Sequence, residues 1–437
     1  MPTVLRLTAL PLLVVLFAQQ VRAENWPQWR GPFFNGSTTE TNLPVTWSAE
    51  QGIVWATPMP GPSHATPVVY GERVFVTSVE KETGNLLALG VDAKTGKILW
   101  TRRTGKDRPT MANRHTMATP APVTDGTSVF FLYGTGDLGG FDMDGKKLWD
   151  RDLEKEFGPF VVKWHYASSP LLLDGRLYFL LMQCKNPSEY GESDRKGPLD
   201  SFLLAMDPQN GKTLWKQVRP TDAEHESTES YITPLPYKRN GKYEIILHGG
   251  EYVTGHDAAT GKEEWRWQFA PHDRQKWQRT VSSASVGDGM VFVPRPKYRP
   301  LFALKPTGQG TLPDSCVTWQ LGKFTNDVTT PLHYRGRLFV MSGKKKMLTC
   351  LNAKTGEQVW QKKLTTKGPF SSSPLGADGK VYCVSHQGEI VVLQAGDEFK
   401  VLATNQLPVP AQLNSMLIAA NGRLYLRAPD KLYCIGK

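Results

Sequence analysis

The apolar positions of this chain fall in short runs, each broken by a turn signal, and the plan repeats. Examples are "HATPVVYGERVFVTSV", "MATPAPVTDGTSVFFLYG", "ASSPLLLDGRLYFLLM", "VSSASVGDGMVFVPRP", "VTTPLHYRGRLFVMSG" and "SSSPLGADGKVYCVSH". Each starts with a small Ser, Thr or Pro group, continues with a brief apolar stretch, breaks at a Gly turn and resumes with β-branched or aromatic residues. Runs bounded in this way predict strands joined by hairpins. No strong helical period appears after the first residues.

A second phrase follows the first. "DAKTGKILW" (Asp92–Trp100) returns as "DPQNGKTLW" (Asp207–Trp215), "DAATGKEEW" (Asp257–Trp265) and "NAKTGEQVW" (Asn352–Trp360), and in shortened form as "DMDGKKLW" (Asp142–Trp149). The glycine suits a turn with positive φ, and the Asp or Asn suits local bonding to the turn backbone. The phrase therefore supplies a third strand, a tight turn and a fourth strand. Repeated units of four short antiparallel strands predict the blades of a β-propeller. A pair of β-sandwiches would explain the alternation but not the recurring phrase.

Inner strands are expected at residues 66–70, 119–124, 169–173, 233–237, 283–286, 330–334 and 373–377. An eighth unit, from Ser415 to the end, has three strands and lacks the last one. The stretch "IVWATPM", Ile53–Met59, supplies it, with Trp55 in the place of the terminal Trp. An all-β, eight-bladed propeller closed by its own N-terminal strand is the result, and closure removes an open sheet edge. A small residue recurs before each indole: Gly90, Gly140, Ala205, Gly255 and Cys350. A bulky ring and a missing side chain at fixed spacing imply docking. Trp55, Trp100, Trp149, Trp215, Trp265, Trp319 and Trp360 are accordingly expected to be structural, each packing one blade on its neighbour. The unit of Trp319 carries the irregular "PTGQGTLPDSCVTW" in place of the usual turn.

Residues 1–23 change the picture of destination. Arg6 precedes an apolar stretch, Leu7–Phe17, too short to span a bilayer, and Val21 and Ala23 suit cleavage after Ala23. The expected organisation is a signal peptide (1–23), an extended leader (24–52) and one propeller domain (53–437), exported and periplasmic or secreted, with no transmembrane segment. No cysteine follows the cleavage site, so a lipid anchor is not indicated. The net charge of +11 falls to +9 without Arg6 and Arg22. That balance favours acidic partners, but the basic residues are scattered, with clusters only at 102–108, 295–299 and 344–346. No nucleic-acid-binding motif appears. The five cysteines are odd in number and form no CxxC pair, so neither a disulfide scaffold nor a zinc site is expected. Cys350, Cys383 and Cys434 read as small buried apolar residues.

The phrase [AG]-x-D-x-x-T-G-K-x-x-W resembles the tryptophan-docking motif of PQQ-like β-propeller repeats. That superfamily includes quinoprotein alcohol dehydrogenases and the assembly lipoprotein BamB, and the resemblance covers nearly the whole mature chain. "NWPQWRGPFFNG" and "LPVTWS" (Asn25–Ser48) resemble leaders of exported PQQ-like proteins of planctomycete-type bacteria. The quinoprotein resemblance implies pyrroloquinoline quinone on the axis, a calcium ion held by Glu, Asn and Asp, an Asp base and a disulfide between adjacent cysteines. This chain has no Cys-Cys dipeptide and no CxxCH. The BamB resemblance implies a non-catalytic scaffold that binds partner proteins.

A ligand site on a propeller is expected where the loops enter the innermost strands. Counting five residues back from the inner-strand Pro, or its equivalent, gives His115, His165, Glu229, Arg279 and Asn326 at one height, with Asp327 and His64 near the same rim. Mixed groups of this kind suit a compact anion, bound more tightly as pH falls through the ordinary histidine range near ~6.5. A hydrated channel entrance is the plainer alternative. No catalytic residues, no metal site and no cofactor are predicted. The reading is an exported binding or assembly scaffold of the cell envelope with a protein partner. A quinoprotein-like oxidoreductase using PQQ and calcium, and a binder of an acidic polymer through the basic surface, are the alternatives.

Overall fold

The computed structural model describes residues 24–109, 115–186, 199–269, 271, 274–409 and 412–436, so the expected signal peptide lies outside the described residues. Eight antiparallel sheets follow one another around a ring, seven of four strands and one of five. Blades 1 to 7 run from Val68 to Lys106, Val123 to Asp152, Leu171 to Val218, Leu235 to Gln268, Ser285 to Leu321, Leu332 to Lys363 and Leu375 to Gln406. Blade 8 takes Ile418–Ala420, Arg423–Arg427 and Lys431–Ile435, and its fourth strand is Ile53–Pro58. Trp55 pairs with Cys434, as Trp100 pairs with Gly90 and Trp360 with Cys350. The ring is thus closed by the N-terminal strand. The one α-helix of the described residues is a single turn, Leu153–Phe157, and no described helix is long and apolar enough to cross a membrane.

The repeated phrase works as a joint between blades. Asp92 Oδ1 accepts from Thr95 N (2.7 Å), Thr95 Oγ1 (2.8 Å) and Lys94 N (3.1 Å), which ties the turn. These bonds hold its carboxyl below the usual range. The turn glycine then faces an indole from the preceding blade. A Cβ on Gly145 (φ 82°) would lie 2.5 Å from the Trp100 ring, and a Cβ on Gly90 would strike the same ring from its own sheet. Trp100 is therefore clasped between the two glycines, and its Nε1 donates to Met143 O of blade 2 at 3.1 Å. Equivalent bonds run from Trp55 to Ala93, Trp149 to Pro208, Trp215 to Ala259, Trp319 to Ala353 and Trp360 to Gly396, at 2.8–3.1 Å.

Three departures from the expected pattern have local causes. Trp55, Trp215 and Trp319 are only half-buried, whereas Trp100, Trp149, Trp265 and Trp360 are buried. Trp265 makes its hydrogen bond within its own blade, to Glu244 Oε2 (2.8 Å), because blade 5 lacks the usual turn. In its place Gly310–Thr311 pairs with Trp265 and Arg266 as a parallel fifth strand, and Leu312 and Cys316 cover the ring. Blade 7 has Ala403 where the indole would stand. There the leader substitutes: Trp47 N donates to Asn405 Oδ1 (2.8 Å), Asn405 Nδ2 to Val45 O (2.9 Å), and Trp47 joins the core of blades 7, 8 and 1.

The small Ser/Thr group before each inner strand has a job of its own. Ser169 N donates to Thr233 Oγ1, Thr233 N to Ser283 Oγ and Ser283 N to Thr330 Oγ1, each at 3.2 Å. Thr330 N reaches Ser373 Oγ (2.9 Å) and Met416 N reaches Thr66 Oγ1 (3.2 Å). A girdle of hydroxyls thus links successive blades close to the axis, each bond worth about 0.5–1.5 kcal/mol. The joint at the outer strands and the girdle at the inner ones hold each blade at both ends.

We expect Trp149→Ala to cost ~3–5 kcal/mol in chemical denaturation, as for a large buried aromatic, and Trp215→Ala to cost less because its ring is half-exposed. Equal small losses for both would contradict the docking role.

Candidate functional site

A cavity of about 430 Å³ opens on the propeller axis. The hydroxyl girdle forms its wall: Thr66, Thr119, Ser169, Thr233, Ser283, Thr330 and Ser373, one from each of blades 1 to 7. Above this level the mouth carries His64, His115, His165, Arg279, Trp164 and Tyr231. On the other side of the girdle, away from the mouth, the leader crosses the channel. Trp26 pairs with Val69 of blade 1, Pro27 O accepts from Thr124 N of blade 2 and Gln28 Oε1 from Leu172 N of blade 3. Arg30, 1% exposed, donates to Pro331 O of blade 6 (2.7 Å) and Pro374 O of blade 7 (3.2 Å). Burial without a carboxylate partner lowers its pKa to about 9. Trp29, from the same segment, lines the cavity.

The candidate residues divide into two groups. His115, His165 and Arg279 line the cavity together with His64. The imidazoles of His64 and His115 lie 5.5 Å apart and those of His115 and His165 5.1 Å apart. Arg279 NH1 pairs with Glu226 Oε1 at 3.3 Å and its guanidinium lies 5.4 Å from the Trp164 ring. Glu229, Asn326 and Asp327 do not line the cavity. Glu229 is fully buried and accepts from Tyr231 Oη (2.7 Å) and Lys163 N (3.1 Å). Asn326 is fully buried and donates to Ser282 Oγ (2.6 Å) and Thr329 O (2.5 Å). Asp327 accepts from Lys297 N (2.7 Å). Equal spacing from the inner strand sets a common height but not a common direction. The route into each strand differs: Glu229 follows a 3-10 turn, His225–Thr228, and His165 sits at φ 86°.

Trp29, Trp164, Tyr231 and the hydroxyl girdle complete the site beyond the residues expected from sequence. The girdle had a visible signal, the Ser/Thr before each inner-strand Pro. Trp29 had none, because its place depends on a leader folding back across the ring. Of the basic cluster 344–346, Lys344 and Lys345 are exposed, while Lys346 is half-buried and donates to Thr366 O.

Burial, with smaller electrostatic contributions from His115, His64 and Arg108, lowers the His165 pKa to about 3. Its imidazole is therefore neutral near pH 6.5, and it supplies no positive charge to an anion there. This corrects the expectation of tighter anion binding through that range as far as His165 is concerned. His248 (about 3) and His256 (about 4) are likewise buried and neutral.

A family model described as outer membrane protein assembly factor BamB matches residues 36–179 and 250–400. Among curated proteins, polyvinylalcohol dehydrogenase of Sphingopyxis sp. (strain 113P3) is 24% identical over 391 residues, covering 82% of this chain and 54% of that protein. Polyvinylalcohol dehydrogenase of Pseudomonas sp. is 27% identical over 165 residues, covering 38% and 24%. The chain thus spans about half or less of the length of these relatives. Among solved structures, BamB from Moraxella catarrhalis aligns with a TM-score of 0.58 at 13% identity, covering 88% of this chain and 97% of that one. Quinohemoprotein alcohol dehydrogenase from Comamonas testosteroni aligns at 0.64 and 13%, covering 94% and 81%.

The depressed histidines predict acid sensitivity. An unfolded His165 takes up a proton near pH ~6.5, whereas the folded one does not until about 3. The unfolded state binds more protons in that window, so stability is full above ~6.5 and falls as pH falls toward 3. Thermal unfolding followed from pH 7 to pH 4 should show this decline, and His165→Gln should make it shallower. An unchanged slope in the variant would contradict the assignment.

Proposed function

Because this chain belongs to the BamB family of PQQ-like propellers, we propose that it is an exported, non-catalytic binding scaffold of the cell envelope, with the axial cavity as its ligand site and an envelope protein as its partner. The observation that carries this reading is the chemistry of the cavity wall, which among the described residues contains no Asp or Glu.

The superfamily's quinone and calcium were tested against that wall. Calcium takes about six to eight oxygen ligands, usually with carboxylates among them. Glu226 and Glu229 are engaged elsewhere, Glu226 with Arg279, Lys163 and Trp164 Nε1, and Glu229 with Tyr231 and a backbone N–H. Among the described residues no group of three or more His, Cys, Asp or Glu could hold a metal ion. The described residues of the wall do not fit a calcium–quinone pair.

The scaffold reading draws further support from the outer surface. The leader spans the channel from blade 1 to blades 6 and 7, while the outer strands of consecutive blades present exposed apolar residues, Val54, Leu99, Leu148 and Leu214.

The test uses the exported chain, whose first residue should be Glu24. Incubated with PQQ and calcium, it should develop no quinone absorption band and reduce no dye with alcohols. Pull-down from envelope extracts should retain a defined protein. Dye reduction that depends on PQQ and calcium would overturn the scaffold reading.

A further inference from the structure

The wall of the axial cavity is specific about charge. Among the described residues its one Arg or Lys, Arg279, is paired with Glu226, and Lys163 lies 3.8 Å from the same carboxylate. Arg279 and Lys163 thus share the Glu226 carboxylate, while the buried Glu229 accepts from Tyr231 Oη. The His165 imidazole is neutral. An anion entering here would compete with Glu226 for Arg279, and a cation would find no carboxylate among the described residues of the wall. The cavity suits an uncharged occupant.

Its hydrogen-bonding groups are of a kind that both donate and accept. Thr66, Thr233, Ser283, Thr330 and Ser373 each accept one backbone N–H from the adjacent blade. A hydroxyl has one proton and two lone pairs, so each keeps a donor and an acceptor for whatever fills the cavity. Asn414 and Gln412 add amides, and the buried His165 Nδ1 has no partner in the protein. An occupant rich in hydroxyls matches such a wall group for group, whereas an apolar one would leave these groups unpaired at a cost.

Aromatic faces complete the set. Trp29, Trp164 and Tyr231 line the cavity. Outside it Trp277, 54% exposed, stacks on His225 at 5.3 Å, and Lys163 Nζ lies within 6 Å of both the Trp277 and Trp164 rings, at 5.3 and 5.8 Å. The docking indoles are spent between blades, whereas Trp29 and Trp164 are half-buried and Trp277 is exposed. Flat apolar faces beside a wall of hydroxyls fit a ring with apolar C–H faces and a polar hydroxyl rim.

We propose that the axial cavity binds an uncharged saccharide, with one terminal ring among the girdle hydroxyls and against Trp164, and the adjoining sugar passing Trp277. This names the ligand class of the site on which the scaffold reading rests. The cavity volume is in the range of small-ligand sites.

Binding to the full exported chain is measured by tryptophan fluorescence and calorimetry, with glucose, N-acetylglucosamine, maltose and cellobiose, and with glucuronate and sulfate as charged comparators. At least one neutral sugar should bind saturably and more tightly than either anion. Trp164→Phe and Trp277→Ala should each weaken it about threefold to tenfold, the loss of one aromatic contact. Trp277→Ala should melt like the parent, since its ring is exposed. Absence of binding across the four sugars, tighter binding of glucuronate or sulfate, or unchanged affinity in both variants would overturn the proposal. Dye reduction with each sugar, PQQ and calcium is recorded in parallel. Turnover would overturn the scaffold reading, whereas loss of sugar binding without turnover overturns only the saccharide assignment.

Discussion

Seven of the eight blades of this propeller lend an indole to the next, and the ring exists because that contact repeats. The indole lies in a slot where a Cβ would not fit, on its own sheet at Gly90 or Gly140 and on the neighbour at Gly145 or Gly211. Its N–H is satisfied by the neighbour's turn. A flat ring that is covered on both faces and bonded at its edge fixes both the distance and the angle between sheets. The girdle hydroxyls do the same at the inner end with smaller groups. Between these two sets of bonds little freedom remains for a blade to tilt, and an axial cavity of defined shape follows.

The same logic explains how the structure treats its irregular blades. Where the turn that should receive Trp265 is missing, an inserted segment adds a strand and covers the indole. Where blade 7 has no indole, Trp47 arrives from the leader. Residues 24–58 thus do three things: they fill a docking gap, supply the last strand of the ring and cross the channel with Arg30 bonded to blades 6 and 7. Gly36 (φ 88°) is needed for that crossing, since a Cβ there would collide with the Arg30 guanidinium.

Most of the fold was legible in the sequence because its determinants are local and repeated. A turn needing Asp and Gly, a strand ending in Trp and a small residue ten positions earlier are written beside one another. Closure by Ile53–Pro58 followed from a unit one strand short. The site was only half legible. His115, His165 and Arg279 reach the cavity, while Glu229 and Asn326, at the same count from their strands, turn into hydrogen-bonded interiors. Side-chain direction depends on the loop that enters each strand, and those loops do not repeat. Trp29 was illegible for a different reason, since it is brought to the axis by a segment distant in sequence from every blade it touches.

The account makes residues 24–60 a structural part of the ring, as last strand, channel floor and missing dock at once. Calorimetric unfolding of a chain that starts at residue 61, beside the chain that starts at Glu24, tests this most directly. Loss of the cooperative transition, or a large fall in Tm accompanied by aggregation through the unpaired edge at Lys431–Ile435, is the predicted result. A truncated chain that melts like the intact one would contradict closure by the N-terminal segment.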